Sequence, residues 1–443
     1  MKREDAERSL NVSWKEGIPA AVMLGVFDYY LVPYGLFLGA SAFQIGVLTA
    51  LPFLLAALAQ IGAVRAVRSA GSRLVFLVRG TALQAALLVP IPFLALLPGL
   101  KFRVAWLILG VIAFRVLSNY IGAAWGSLMS DYLEPERRGS YLGWRSQVVG
   151  LAGLLGVILG GTLLYATKKE NPAWGFFLLF FGAALCRFVS FGLMTRMADA
   201  PHADTREHDF TILMFVRRFR QSNFVKFVFF VSGVTFATQL AAPYFSVFML
   251  RDLKFDYLTY MVLCLSAVGT GLLAFPIWGR HADIVGNAKI LKITGRLIPV
   301  IPLLWLVSRR VPYLVAVEMA SGFVWGGFNL CAVNFIYDAV SPPKRVRCLA
   351  YFNLINGAAV CLGALLGGFL ADRLPPLLGY RLLALFLLSA ALRFCASLFL
   401  SPNFTEVRKS RHVSSLELFF SVLGFRSLAG MNQEWSVFPS RRF

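Results

Sequence analysis

Asp28, Arg115 and Glu318 are charges set inside long apolar runs. A charge at the centre of a bilayer is costly and persists only in a pair or a wet cavity, so each is a candidate for chemistry. Asp28 stands about midway along its run, in Phe27-Asp28-Tyr29-Tyr30-Leu31-Val32-Pro33-Tyr34. A carboxyl there can take up and release a proton or anchor a solute, with Tyr29 and Tyr34 beside it. An ion pair with Arg115 or another helix accounts for the same residue equally well. Arg115 and Asn119 are one helical turn apart, able to fork a carboxylate or phosphate while the amide orients it, unless Arg115 serves to neutralise Asp28 or Glu318. Glu318, Gly322, Trp325 and Asn329 form one helical stripe, offering a carboxylate, a gap, an indole and an amide as a cavity wall. Thr235, Gln239 and Tyr244 can bond a solute or simply another helix. Arg187 and Arg393 lack such company and are expected either to snorkel toward a helix end or to act, with equal weight, so both stay outside the site.

The elements that position these residues follow from composition. Of 443 residues, 58% are hydrophobic and 15% charged, with a mean hydropathy of +0.69. A bilayer span needs roughly 20 mainly apolar residues. Twelve such runs are expected near 17–38, 43–63, 74–98, 103–127, 141–165, 173–195, 225–250, 257–279, 289–308, 311–335, 348–371 and 380–400. This excludes a soluble enzyme on a single anchor. The net charge of +21 lies in short loops and tails rather than along one soluble face, which argues against nucleic acid. Met1 to Glu16 has no secretory signal pattern. Trp106, Trp144, Trp174 and Trp305 near span ends are expected interfacial anchors. Six cysteines without CxxC spacing are read as reduced packing residues, and His202, His208, His281 and His412 fall in loops or the tail, so no metal site or cofactor is expected.

The runs divide into halves. The expected segments are 1–16, a cytoplasmic N-terminal segment; 17–196, six helices; 197–224, a linker; 225–400, six further helices; and 401–443, a tail. Phe210 to Arg220 in the linker reads as a basic amphipathic helix on the membrane surface. Lys and Arg favour the termini, the linker and the loops on their side, which places both termini in the cytoplasm, although Lys101, Arg103, Lys168, Lys169, Arg309 and Arg310 would then face out. Asp131 to Arg138 and Asp338 to Arg345 match at Asp, Pro and two basic positions at a constant offset of 207 residues. The same offset carries Gly156, Gly160 and Gly161 onto Gly363, Gly367 and Gly368. These glycines are expected to let helices approach closely.

The loop Gly279-Arg280-His281-Ala282-Asp283-Ile284-Val285-Gly286-Asn287-Ala288-Lys289 resembles the loop motif of the major facilitator superfamily. Its first-half counterpart, Gly62 to Gly71, keeps the basic character but has Ala66 where the family's Asp would stand. With Asp-x3-Pro-x2-Arg loops after spans 4 and 10 and a long central linker, the resemblance covers residues of roughly 17 to 400. The span 5 glycines also look like an antiporter signature, with Val157 in place of its proline. The resemblance implies an all-α membrane protein of twelve transmembrane helices in two six-helix bundles related by pseudo-two-fold symmetry. It implies a secondary transporter of a small solute working by alternating access, coupled to protons and monomeric in a bacterial inner membrane, with spans 1, 4, 7 and 10 lining the cavity. Asp131, Arg138, Arg145, Asp283, Asp338 and Arg345 are then candidates for a cytoplasmic gate, or for simple topology determinants. Drug or metabolite efflux, a sensor that binds without transport, and a membrane-embedded enzyme are the competing classes. No GxxxxGK[ST] run supplies an ATP motor, and no dense set of catalytic residues is present.

Overall fold

The computed structural model of the chain describes residues 3–69, 71–133, 135–199, 222–340, 342–407 and 421, with the backbone alone described at 3, 60–69, 123, 130, 135–140 and 342–347. The amphipathic stretch expected at 210–220 and nearly all of the tail lie outside these residues. The described chain is helical, with one isolated bridge between Leu377 and Tyr380 in place of any sheet. Among the described residues, twelve helices are long and apolar enough to cross a membrane. They are span 1, Glu4–Phe37; span 2, Ala42–Ala59; span 3, Arg73–Leu96; span 4, Arg103–Met129; span 5, Tyr141–Thr167; span 6, Pro172–Met194; span 7, Asn223–Asp252; span 8, Tyr257–Val285; span 9, Asn287–Val307; span 10, Val311–Ala339; span 11, Cys348–Ala371; and span 12, Arg381–Asn403. Every expected run corresponds to one of them. The segment before residue 17 is not separate, because one helix runs unbroken from Arg3 to Phe37.

Proline decides where spans break. Span 3 divides into Arg73–Leu88 and Pro90–Leu96, and span 9 into Asn287–Leu297 and Val300–Val307 after Pro299. Span 7 stops at Gln239, resumes at Ala242 with Pro243 in its first turn, and finishes as a π-helix over Phe248–Asp252. A proline lacks the N–H that continues the ladder, and its ring crowds the carbonyl four residues back. Between spans 7 and 8, Asp256 accepts the Thr259 N–H at 2.8 Å, and that bond holds its carboxyl below the usual range.

Contacts divide the chain into two units. The first comprises residues 1–206, 238–265 and 352–385; the second comprises 207–237, 266–351 and 386–443. These limits differ from the sequence halves because the adjoining ends of spans 7 and 8, together with span 11, pack with spans 1, 2, 5 and 6. In unit 1, Tyr260 donates its hydroxyl to the Tyr29 carbonyl at 2.8 Å. A side chain on Gly46 would lie 2.6 Å from the Ala364 carbonyl oxygen, and one on Gly161 would strike Met261. In the absence of a hydrophobic drive within lipid, such close backbone approach supplies the packing.

The repeated glycines do this work. A Cβ on Gly156 would sit 2.3 Å from the Val22 carbonyl oxygen, and one on Gly160 would sit 2.3 Å from the Tyr30 ring. Tyr30 in turn donates to the Val157 carbonyl at 2.6 Å. In the second repeat Tyr244 donates to the Ala364 carbonyl at 2.8 Å, with its ring against Gly367. In unit 2, a Cβ on Gly322 would stand 1.9 Å from the Ala267 carbonyl oxygen, so Gly322 is a helix contact and not a gap in a cavity wall. Replacing Gly25, whose Cβ would meet the Gly153 carbonyl at 2.2 Å, with valine is expected to destabilise by about 1–3 kcal/mol through overpacking. Gly182→Ala, with nothing within 4 Å, should leave the melting curve of the detergent-purified protein unchanged.

Candidate functional site

Spans 1 and 4 bring Asp28 and Arg115 together in unit 1, where an Arg115 Nη2 to Asp28 Oδ1 ion pair forms. The guanidinium lies 4.8 Å over the Phe53 ring and 5.8 Å over that of Phe114. Asp28 keeps 47% of its side chain exposed while Arg115 keeps 15%. An ionised pair left partly open on membrane spans requires that its face border water rather than hydrocarbon. Tyr29 is half-buried beside it, and Asn119 and Gln239 are half-buried without a side-chain hydrogen bond among the described residues.

Two expected cavity tyrosines are placed elsewhere. Tyr34 is fully buried, donates to the Ile91 carbonyl at 2.8 Å and stacks on Phe180 at 4.6 Å. Tyr244 is fully buried by its bond to Ala364 and its contacts with Gly46 and Gly367. Both hydroxyls are spent on helix packing, because an unsatisfied phenol in a dry interior is costly.

In unit 2, Glu318 is half-buried with the Trp305 indole beside it. Trp305 is 1% exposed, so it is a core residue and not an interfacial anchor, whereas Trp106, Trp144 and Trp174 are exposed. Trp325 stands edge-on to Phe328 at 5.5 Å, and Asn329 is exposed. His281 falls within span 8, buried, with its ring bonded to the Ile277 carbonyl and to Ser421 at 3.0 Å, rather than in a loop.

The charges near the span ends resolve into two kinds of network. Glu16 is buried and accepts from Arg145 at 3.1 Å and from Ser190 at 3.0 Å; Arg187 donates to Ser190 at 3.2 Å. Arg145 also lies 4.3 Å over Trp125. Arg187 is therefore held inside the unit and does not snorkel. Arg393 is likewise 2% exposed, bonded to Ser389 at 3.0 Å and to the Ile298 carbonyl at 3.5 Å, where span 9 is broken.

The second network is a clasp present twice. Arg73 pairs with Asp131; Asp199 accepts from Ser72 and from the Leu74 N–H; the Ala198 N–H donates to Ser9. Correspondingly, Asn287 donates to Asp338 at 2.8 Å, Glu406 accepts the Ala288 N–H at 2.7 Å, and Asn223 exchanges two 2.8 Å bonds with Thr405. Asp199 and Glu406 thus satisfy the exposed N–H groups at the starts of spans 3 and 9, where negative charge also complements the helix dipole. Among the expected gate residues, Asp131 and Asp338 belong to these clasps and Arg145 to the Glu16 network. Asp283 sits in the last turn of span 8, and the side chains of Arg138 and Arg345 lie outside the described residues.

A family model described as Major Facilitator Superfamily matches residues 18–307 and 227–440. The chain belongs to that superfamily. Solved structures agree in fold. A bacterial homolog of the human lysosomal transporter Spinster, inward-facing and unoccupied, is 17% identical with a TM-score of 0.58, covering 92% of this chain and 100% of that one. A bacterial homologue of the iron transporter ferroportin, inward-facing, is 13% identical with a TM-score of 0.66, covering 89% and 98%. The nucleoside transporter NupG is 12% identical with a TM-score of 0.69, covering 89% and 100%. No curated protein sequence matches the chain. Membership in the Major Facilitator Superfamily makes this a multi-pass membrane transporter and not an enzyme. In this superfamily member, removing the buried Glu16 carboxylate by Glu16→Ala strands Arg145 and Arg187. The expected loss is about 3–5 kcal/mol, read as a lowered melting temperature that Glu16→Ala with Arg145→Ala partly restores.

Proposed function

We propose that the chain is a secondary active transporter that moves a small solute by alternating access, coupled to protons, with Asp28 as the group exchanging the proton. The observation carrying this reading is the Asp28 and Arg115 pair, the carboxylate of which remains nearly half exposed within a twelve-span fold. A carboxylate that is both paired and reachable by water can change protonation as its surroundings alternate between sides. Glu318 is a second carboxylate for the same cycle. The protein works as a monomer in the bacterial cytoplasmic membrane with both termini in the cytoplasm, as the Lys and Arg distribution favours.

The moving bodies are the sequence halves 17–196 and 225–400. Contacts such as Tyr260 to Tyr29, Gly46 to Ala364 and Gly161 to Met261 join segments of different halves, so they break when the protein changes state. The clasps and the Glu16 network join residues of one half to each other or to residues just beyond its limits, so they travel intact. In proteoliposomes carrying an imposed pH gradient, the wild-type protein should accumulate its solute against a concentration gradient. Asp28→Asn should lose gradient-driven accumulation while retaining exchange of solute at equal, saturating concentrations. Accumulation by Asp28→Asn equal to wild type, with the same pH dependence, would end the coupling role.

A further inference from the structure

The two members of the Asp28 and Arg115 pair are not presented alike. Arg115 is the covered member: its guanidinium is engaged by the Asp28 carboxylate and lies against Phe53 and Phe114. Phe114 is itself fully buried and stacked on Phe27 at 4.5 Å, so the wall behind the guanidinium is fixed. Asp28 is the open member. Its Oδ1 holds Arg115, and its Oδ2 accepts no hydrogen bond among the described residues. Phe53, 46% exposed, extends the open surface beside the carboxylate with an aromatic face.

A solute approaching from the open side therefore meets a carboxylate oxygen first and an aromatic ring next. An anion would have to prise Asp28 from Arg115 and would be repelled by the carboxylate it displaces, because like charges at close range oppose each other. A protonated amine can bind Oδ2 without breaking the existing pair, through a charge-assisted hydrogen bond. Its charge can also rest against the face of Phe53. We propose that this site selects solutes carrying a protonated amine on an apolar body, an inference that rests on the transport reading above. It replaces the anion-binding role that the sequence allowed for Arg115 and Asn119: the guanidinium here positions and neutralises Asp28.

Three compounds of one skeleton test the class: 2-phenylethylamine, its N-acetyl amide, and 3-phenylpropionate, titrated against the full-length protein in nanodiscs with bound fraction read by calorimetry. The amine should bind about tenfold or more tightly than either analogue, the scale of one hydrogen bond to a charged group. Asp28→Asn should bring the amine to the level of the amide, whereas Asp28→Glu, which keeps the charge, should preserve the preference. Phe53→Leu should weaken the amine several-fold with the charge preference intact. Tighter binding of 3-phenylpropionate, equal binding of all three, or no binding of any would overturn the assignment. Selective binding of the carboxylate accompanied by its flux in proteoliposomes would overturn the amine class alone. Amine binding with no flux would leave the class standing and remove the transport reading.

Discussion

A charge in the middle of a membrane has to be matched by an opposite charge or by water, and most of what is distinctive in this molecule follows from how each charge meets that condition. Glu16, Arg145 and Arg187 meet it by burial in a shared network with Ser190. Arg393 meets it on Ser389 and on a carbonyl at the break in span 9. Asp28 and Arg115 meet it by pairing, yet leave the carboxylate open. The buried Glu16 network ties spans 1, 5 and 6 together. An open pair is able to exchange a proton or receive a solute, and on that difference rests the functional role we propose for Asp28.

The second constraint is that helices in lipid gain little from simply hiding apolar surface, so their contacts depend on close backbone approach. Gly25, Gly156 and Gly322 each lie where even a methyl group would strike a neighbouring carbonyl. The repeat places equivalent ties in both halves: Tyr30 on Val157 and Tyr244 on Ala364, Asp199 at the start of span 3 and Glu406 at the start of span 9. Contacts inside one half stiffen it as a body. Tyr260 on Tyr29 is a single hydrogen bond and Gly161 on Met261 a van der Waals surface, so parting these contacts strands no charge.

The spans and the Asp28 and Arg115 pair were legible in the sequence, because long apolar runs have one physical solution in lipid and charges inside them are rare. The direction of a side chain around its helix was not. Tyr34, Tyr244 and Gly322 share faces with polar residues on a simple helical count, and only packing reveals that they are consumed by neighbouring helices. Glu16 carried no signal, since an acid at the edge of an apolar run is ordinary. Asp199 and Glu406 did carry one: they stand 207 residues apart, the same offset as Asp131 and Asp338, and a repeat searched beyond the spans would have found them.

Under the alternating access we propose, the face bearing Asp28 and Phe53 is reached by water from each side of the membrane in turn. Phe53→Cys in a background without other cysteines, treated with a membrane-impermeant thiol reagent applied separately to right-side-out and inside-out vesicles, tests it directly. Labelling from both sides, with solute changing the ratio of the two rates, is the predicted result. Labelling confined to one side under every condition, or none at all, would contradict it.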